Sequence, residues 1–271
     1  MPKALRLLAV LAHPDDESLG FGGALAQAAA AGVETYLVTA TRGERGRFFD
    51  RGKSAPPEEV GLVREAELRA AARVLGIREV SLLGYPDGAV DSVDPDSAVA
   101  AIAAHIRRIR PHVALTFGPD GAYGHPDHIA VCQFLSAAIP CAADAAYTAV
   151  ALAPHRVEKL YYLAWHAAQW DAYQAAFRKL TSLVDGVERQ ATPWPHWAVT
   201  THIDTSAHWS TVWQAVCCHQ SQLTIYSRLA SLSHEQQRAL WGAQSFYRVF
   251  SAVNGGRARE SDLFEGLRRW Q

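Results

Sequence analysis

The chain has 271 residues, 49% of them apolar and 20% charged, a balance that suits a packed core and excludes a disordered chain. Lys and Arg number 26 against 27 Asp and Glu, for a formal net charge of −1, so there is no global field to hold a polyanion such as duplex DNA. The length predicts one enlarged domain over 1–271, with an α/β core at 1–150 and an extension at 151–271 that holds all eight Trp residues.

Residues 4–12 are an apolar run too short to span a bilayer and without a small-residue cleavage site, which predicts the first strand of a cytoplasmic protein with no transmembrane segment. An Ala- and Gly-rich helix follows over 19–32, stopped by Gly32. The segment 33–40 is a second strand, and 41–57 a polar loop carrying Arg42, Arg45, Arg47 and Arg51. Residues 58–75 place Val60, Val63, Leu68, Ala71 and Leu75 at helical spacing up to Gly76. After a strand at 80–84, Asp94 and Pro95 supply the N-cap and first position of a helix whose buried face is Val99, Ile102, Ile106 and Ile109. A fourth strand spans 112–117, and Pro126 opens a helix through Val131, Phe134 and Leu135.

This alternation predicts an open, mostly parallel, Rossmann-like sheet with helices on both faces and a site at the carboxyl ends of its strands. Beyond residue 155, a strand at 157–164, helices at 168–184 and 205–222 and a strand at 245–253 read as a C-terminal extension that completes the sheet and shapes the pocket. Cys132, Cys141, Cys217 and Cys218 form no CxxC pair, and the last two are adjacent, which predicts reduced, mostly buried thiols.

Two clusters carry the chemistry. The first strand runs into His13-Pro14-Asp15-Asp16-Glu17, where adjacent carboxylates repel unless a cation relieves them. His13 and Asp16 can converge on one metal ion, and Asp15 between them can take a proton from water. The fourth strand leads to Tyr123-Gly124-His125-Pro126-Asp127-His128, which holds two histidines at a helix start. Together the clusters supply two histidines and one carboxylate, the pattern of a catalytic zinc site with an open position, and spacing does not choose between His125 and His128. Helix capping alone accounts for one or two of these carboxylates.

AHPDDE after the first strand, TxGExG after the second, GYPDG after the third and YGHPDH after the fourth together resemble the zinc-dependent de-N-acetylase superfamily. That group contains the N-acetylglucosaminyl-phosphatidylinositol deacetylases, the lincomycin-biosynthesis E-like proteins and the deacetylases of mycothiol and bacillithiol biosynthesis. The resemblance covers roughly residues 5–135, and HxSQ (219–222) and ESDLFEGL (260–267) resemble later elements. It implies zinc held by His13, Asp16 and His128, with Asp15 as general base. It further implies that His125 stabilises the oxyanion and protonates the amine, that Asp127 orients His125 and keeps it charged, and that Tyr123 contacts the tetrahedral intermediate. Arg64 and Asp87 match positions that hold the polar part of the substrate. Arg64 also falls on the core-facing stripe of its helix, where a guanidinium needs a partner, so a structural pair with a carboxylate stands beside that role.

The implied activity is removal of an N-acetyl group from an N-acetylglucosamine-containing small molecule, the aglycone being open among inositol, malate, a lipid or an antibiotic. An amidase acting on thiol-sugar conjugates is the alternative within the class. A non-haem iron oxygenase shares the ligand set, and a non-catalytic sugar-binding protein is the third reading. His2Asp ligation accepts Fe2+ or Mn2+ as well as Zn2+. Loop arginines at 42–51 can hold an anionic substrate group or remain solvated. The run Gly20-Phe21-Gly22-Gly23 is no dinucleotide fingerprint, because three carboxylates precede it where a pyrophosphate would bind. His196, His202 and His208 lack ligand spacing and read as core or groove residues. His219 reads as a buried histidine or, by its HxSQ match, as a residue at the site's edge.

Overall fold

The computed structural model describes residues 4–46, 49–50, 53–177, 181–184, 186–190, 192–223 and 227–268; Arg47 and Arg51 lie outside them. Seven strands form the central sheet: β1 (Arg6–Leu11), β2 (Glu34–Thr39), β3 (Glu79–Leu82), β4 (Val113–Thr116), β5 (Lys159–Leu163), β6 (Thr201–Asp204) and β7 (Ala243–Ser251). Their order is β6-β7-β5-β4-β1-β2-β3. The five strands from β3 to β5 are parallel, and β7 runs antiparallel to both β5 and β6. Residues Leu7 to Leu11 are fully buried because β1 is central and covered on both faces. The chain order reverses between β1 and β4, the switch point at which an open α/β sheet leaves a crevice.

The helices around the sheet include α1 (Asp16–Leu19), α2 (Gly22–Ala30), α3 (Pro57–Leu75), α4 (Pro95–Ile109), α5 (Pro126–Ala143), α6 (Ala167–Phe177), α7 (Trp209–Cys218) and α8 (His234–Trp241). α4 packs on α5, whereas α2 and α3 pack on α7. Right-handed crossovers put α2 and α3 on one face and α4 and α5 on the other. α3 begins with Pro57 and two glutamates and ends at Gly76 with φ 75°, a left-handed cap that glycine adopts without strain. The Asp94 carboxylate accepts the Ser97 N–H and starts α4.

The expected open, mostly parallel sheet is present, and 151–271 contributes β5, β6 and β7 to it. Three local differences have physical causes. The helix expected at 19–32 is α2, shorter at 22–30 and preceded by the separate α1, and a Cβ on Gly23 would meet Thr205 at 2.7 Å; the glycine run serves close packing against the extension. The helix expected at 168–184 is described over Ala167–Phe177, whereas 182–184 pairs with 187–189 as antiparallel strands, with Gly186 at φ 75°. β6 and α8 have no counterpart among the expected elements; α8 opens with a capping box between Ser233 and Gln236. All four thiols are free, as expected, but only Cys132 is buried. Among the described residues no helix is long and apolar enough to cross a membrane.

Candidate active site

The two clusters meet at the switch point. β1 delivers His13 two residues past its end, and the turn after β4 delivers His128 on the first turn of α5. His13 Nδ1 lies 3.5 Å from Asp16 Oδ2 and 3.3 Å from His128 Nε2, and His128 Nε2 lies 3.4 Å from Asp16 Oδ1. Four-coordinate bonds of about 2.0–2.1 Å place neighbouring ligand atoms about 3.3 Å apart, so these three donors fit one divalent metal. His13, His125 and Asp127 also approach closely enough to share an ion. The cavity separates the two groups: it exposes His13, Asp16 and His128 but not Asp127, and a catalytic metal needs an open position.

Asp127 is fully buried and its oxygens are taken. Oδ2 accepts the Gly88 N–H at 2.7 Å and lies 3.0 Å from His13 Nε2, while Oδ1 accepts the Val90 N–H at 3.1 Å. Its carboxylate therefore steadies His13, the usual task of a carboxylate behind a ligating imidazole, and not His125 as the resemblance implies. His125 accepts the Asp127 main-chain N–H on Nδ1 at 3.2 Å. The charge of Asp127 favours the protonated form of His125, but burial, then the charge of His13, draws the His125 pKa below its ordinary value. Asp87 Oδ1 also reaches His13 Nε2, at 3.2 Å, and Oδ2 accepts the Arg45 N–H at 2.9 Å. Burial opposes ionisation of Asp87, but His13, the Arg45 N–H and the charge of Arg64 together outweigh this and hold its pKa at about 2. Burial likewise opposes charge on His13, yet Asp127, Asp16 and Asp87 hold its pKa well above the ordinary value. Without a cation the cluster keeps a proton there, which a metal would displace.

Asp15 sits at φ 112°, a left-handed conformation costly for a residue with a Cβ. Its Oδ2 accepts Arg64 Nη2 at 2.9 Å. Arg64 is 4% exposed and also donates to the carbonyls of Gly43 at 2.7 Å and Pro14 at 2.5 Å. A Cβ on Gly43 or Gly46 would collide with this guanidinium, so the glycines of TxGExG make room for it. Arg64 and Asp87 line the cavity, and the pairing of Arg64 with a carboxylate is present, the partner being Asp15.

Tyr123 lies edge-on to His128, centroids 5.3 Å apart. Burial, then the charges of Asp16, Asp15, Asp127 and Asp87, drives its pKa upward and keeps it a neutral donor. The cavity encloses ≈ 570 Å³, room for a disaccharide-sized ligand. Its far wall comes from the extension, where Trp165 is stacked on Tyr173 at 4.4 Å and 23°. Sequence spacing missed this pair because Trp165 follows β5 directly and Tyr173 is on α6; only the sheet order brings both to the crevice. It also missed the attachment of Asp127 and Asp87 to His13. The one available signal was that GYPDG follows a strand of the parallel sheet, at its carboxyl end, and offers glycine N–H groups.

A sequence profile of the PIG-L family, described as GlcNAc-PI de-N-acetylase, matches residues 8–139. The 1D-myo-inositol 2-acetamido-2-deoxy-alpha-D-glucopyranoside deacetylase of Streptomyces griseus is 34% identical, over 97% of this chain and 89% of its own length. Among solved structures, a conserved protein of Thermus thermophilus is 27% identical with a TM-score of 0.64, covering 94% of this chain and 99% of its own. The 4-carboxy-2-hydroxymuconate hydratase of Pseudomonas putida superposes with a TM-score of 0.68 at 20% identity, over 94% of this chain and 100% of its own. At that identity the likeness is one of fold alone.

Proposed function

The chain belongs to the PIG-L family of GlcNAc-PI de-N-acetylases, and from that premise we propose that it is a zinc-dependent deacetylase of an N-acetylglucosaminyl inositol in the cytoplasm. The full-length likeness to the inositol-conjugate deacetylases supports this substrate, and four unpaired thiols suit a reducing compartment. The observation that carries the reading is the triangle of His13, Asp16 and His128 donors at the cavity floor with Asp15 beside it. A non-haem iron oxygenase shares that triangle, but it lacks the family match and its usual jelly roll; the filled catalytic positions speak against mere sugar binding.

Zinc bound there would polarise the acetyl carbonyl and lower the pKa of a water. Asp15 takes the proton of the attacking water as oxygen adds to the acetyl carbon. Arg64 fixes the carboxylate while it does so. Because His125 Nδ1 accepts the Asp127 N–H, its ring proton resides on Nε2 and is donated as a hydrogen bond to the oxyanion, joined there by the Tyr123 hydroxyl. When the C–N bond breaks, Asp15 returns its proton to the leaving nitrogen, so one carboxyl serves as base and then as acid. The Trp165 face offers an apolar platform for the sugar or cyclitol ring.

The test is a product balance with N-acetylglucosaminyl inositol and the zinc-loaded protein. Acetate and free amine should appear in equal amounts, and faster than from N-acetylglucosamine. A zinc-loaded protein that releases no acetate would refute the assignment.

A further inference from the structure

Glu17 and His219 are buried ionisable groups beside the site that the proposed reaction does not use. Glu17 is 1% exposed and His219 fully buried, and neither lines the cavity, so neither touches substrate. They form a chain that ends on Asp15. His219 Nε2 lies 2.7 Å from Glu17 Oε1, which also accepts the Ser18 hydroxyl at 2.6 Å; Glu17 Oε2 accepts the main-chain N–H of Asp15 at 3.0 Å.

The Asp15 backbone is where restraint is needed. A left-handed residue with a Cβ persists only when its surroundings over-determine it, and Asp15 is gripped at both ends. Arg64 of α3 holds its carboxylate and Glu17 its main-chain N–H. A buried carboxylate needs donors of its own, and His219 supplies one. His219 is in turn fixed by its place: it caps α7, and in the turn that follows, the Ser221 N–H and hydroxyl both bind Glu67 of α3 at 2.7 Å. The same helix thus anchors both grips on Asp15.

We propose that His219 is a positioning residue for deacetylation, acting through Glu17 to hold the main chain of Asp15 in the left-handed turn that aims its carboxylate at the reacting water. The inference rests on Asp15 being the base. It gives the HxSQ element a role in catalysis without contact with substrate, and it makes the extension a part of the catalytic apparatus.

The experiment uses the zinc-loaded protein and acetate release from N-acetylglucosaminyl inositol. His219→Leu should lower kcat by about tenfold to a hundredfold, the scale of a slight misplacement of a reacting group. KM should stay within about twofold, since no ground-state contact is removed, with zinc content as in the native protein. His219→Gln retains an N–H donor for Glu17 and should recover most of the lost kcat. In an Asp15→Asn background, His219→Leu should cost little more, because residues acting as a unit are not additive. Native kcat in His219→Leu, a rise in KM alone, or full additivity with Asp15→Asn would overturn the inference. So would loss of zinc or of the folded circular dichroism spectrum in His219→Leu, His219→Gln and Glu17→Gln alike, because that would make the chain part of the core only. An Asp15→Asn protein with undiminished turnover would instead bring down the base assignment itself.

Discussion

Two buried clusters of charge sit on the same sheet, one against β5, β6 and β7 and the other at the ends of β1 and β4, and they are built on opposite terms. At Glu260 a single carboxylate collects five donors: Lys159, Arg248 and Asn254 on one oxygen, and Tyr161 and Thr201 on the other, all within 2.6–2.8 Å. Each of these contacts is internal, and the site cavity does not reach them. At the β1 and β4 ends, Asp15, Asp16, Asp87 and Asp127 crowd three imidazoles, and several donor atoms face a cavity. Saturation makes the first cluster a fastening between the chain's last segment and the sheet. Excess acid and open donors make the second a place where something else must bind. Burial and charge alone do not tell these roles apart; the balance of donors to acceptors does.

Breaking each cluster should therefore damage a different property. Stripping metal with a chelator should lower acetate release by roughly four orders of magnitude and leave the far-ultraviolet circular dichroism spectrum unchanged, with activity restored by added zinc. Asp16→Asn should likewise abolish turnover while the protein remains folded by circular dichroism, because it removes a donor from the metal site. Glu260→Leu should do the reverse. It leaves the buried Lys159 without its carboxylate and should cost about 3–5 kcal/mol of stability, measured by urea unfolding, while the protein that remains folded keeps its kcat.

Acidification probes the same difference. Burial opposes charge on Glu260, but its hydrogen bonds from Asn254, Lys159, Tyr161 and Thr201 hold its folded pKa at about 2, below its ordinary 4.5. A depressed carboxylate contributes its stability fully above pH 4.5 and loses it as pH falls toward 2. Glu260→Gln should flatten this limb of the stability curve; an unchanged limb would remove Glu260 from the account.

Smaller effects follow from contacts that are neither saturated nor crowded. Trp165→Ala should raise KM by about three- to tenfold, the worth of one aromatic face, with kcat near native in the zinc-loaded protein. Arg69→Ala, which removes an exposed pair with Glu65, should change stability by no more than about 0.5 kcal/mol, measured by the same urea titration, and leave acetate release unaffected.

What could be read from sequence follows from the range of each interaction. Strand and helix periods, caps such as Asp94 and stops such as Gly76 are local, and they gave the five parallel strands and the residues at their carboxyl ends. HPDDE and HPDH could be joined because strands β1 and β4 of such a sheet are neighbours. Partners across longer separations were not legible. Asp127 could be placed near the site but not on His13, since its neighbour in sequence, His125, was the simpler partner. Glu17 appeared only as part of a motif, because its partner His219 is 202 residues away. The hairpin at 182–189 and strand β6 are short and depend on the surface that receives them, so neither carries an apolar period of its own.

Anomalous scattering from crystals of the zinc-loaded protein shows whether the open cluster is the working metal site. One peak per chain is expected, within about 2.0–2.2 Å of His13 Nδ1, an Asp16 carboxylate oxygen and His128 Nε2. A peak bound instead by His13 Nε2, His125 and Asp127 would contradict it.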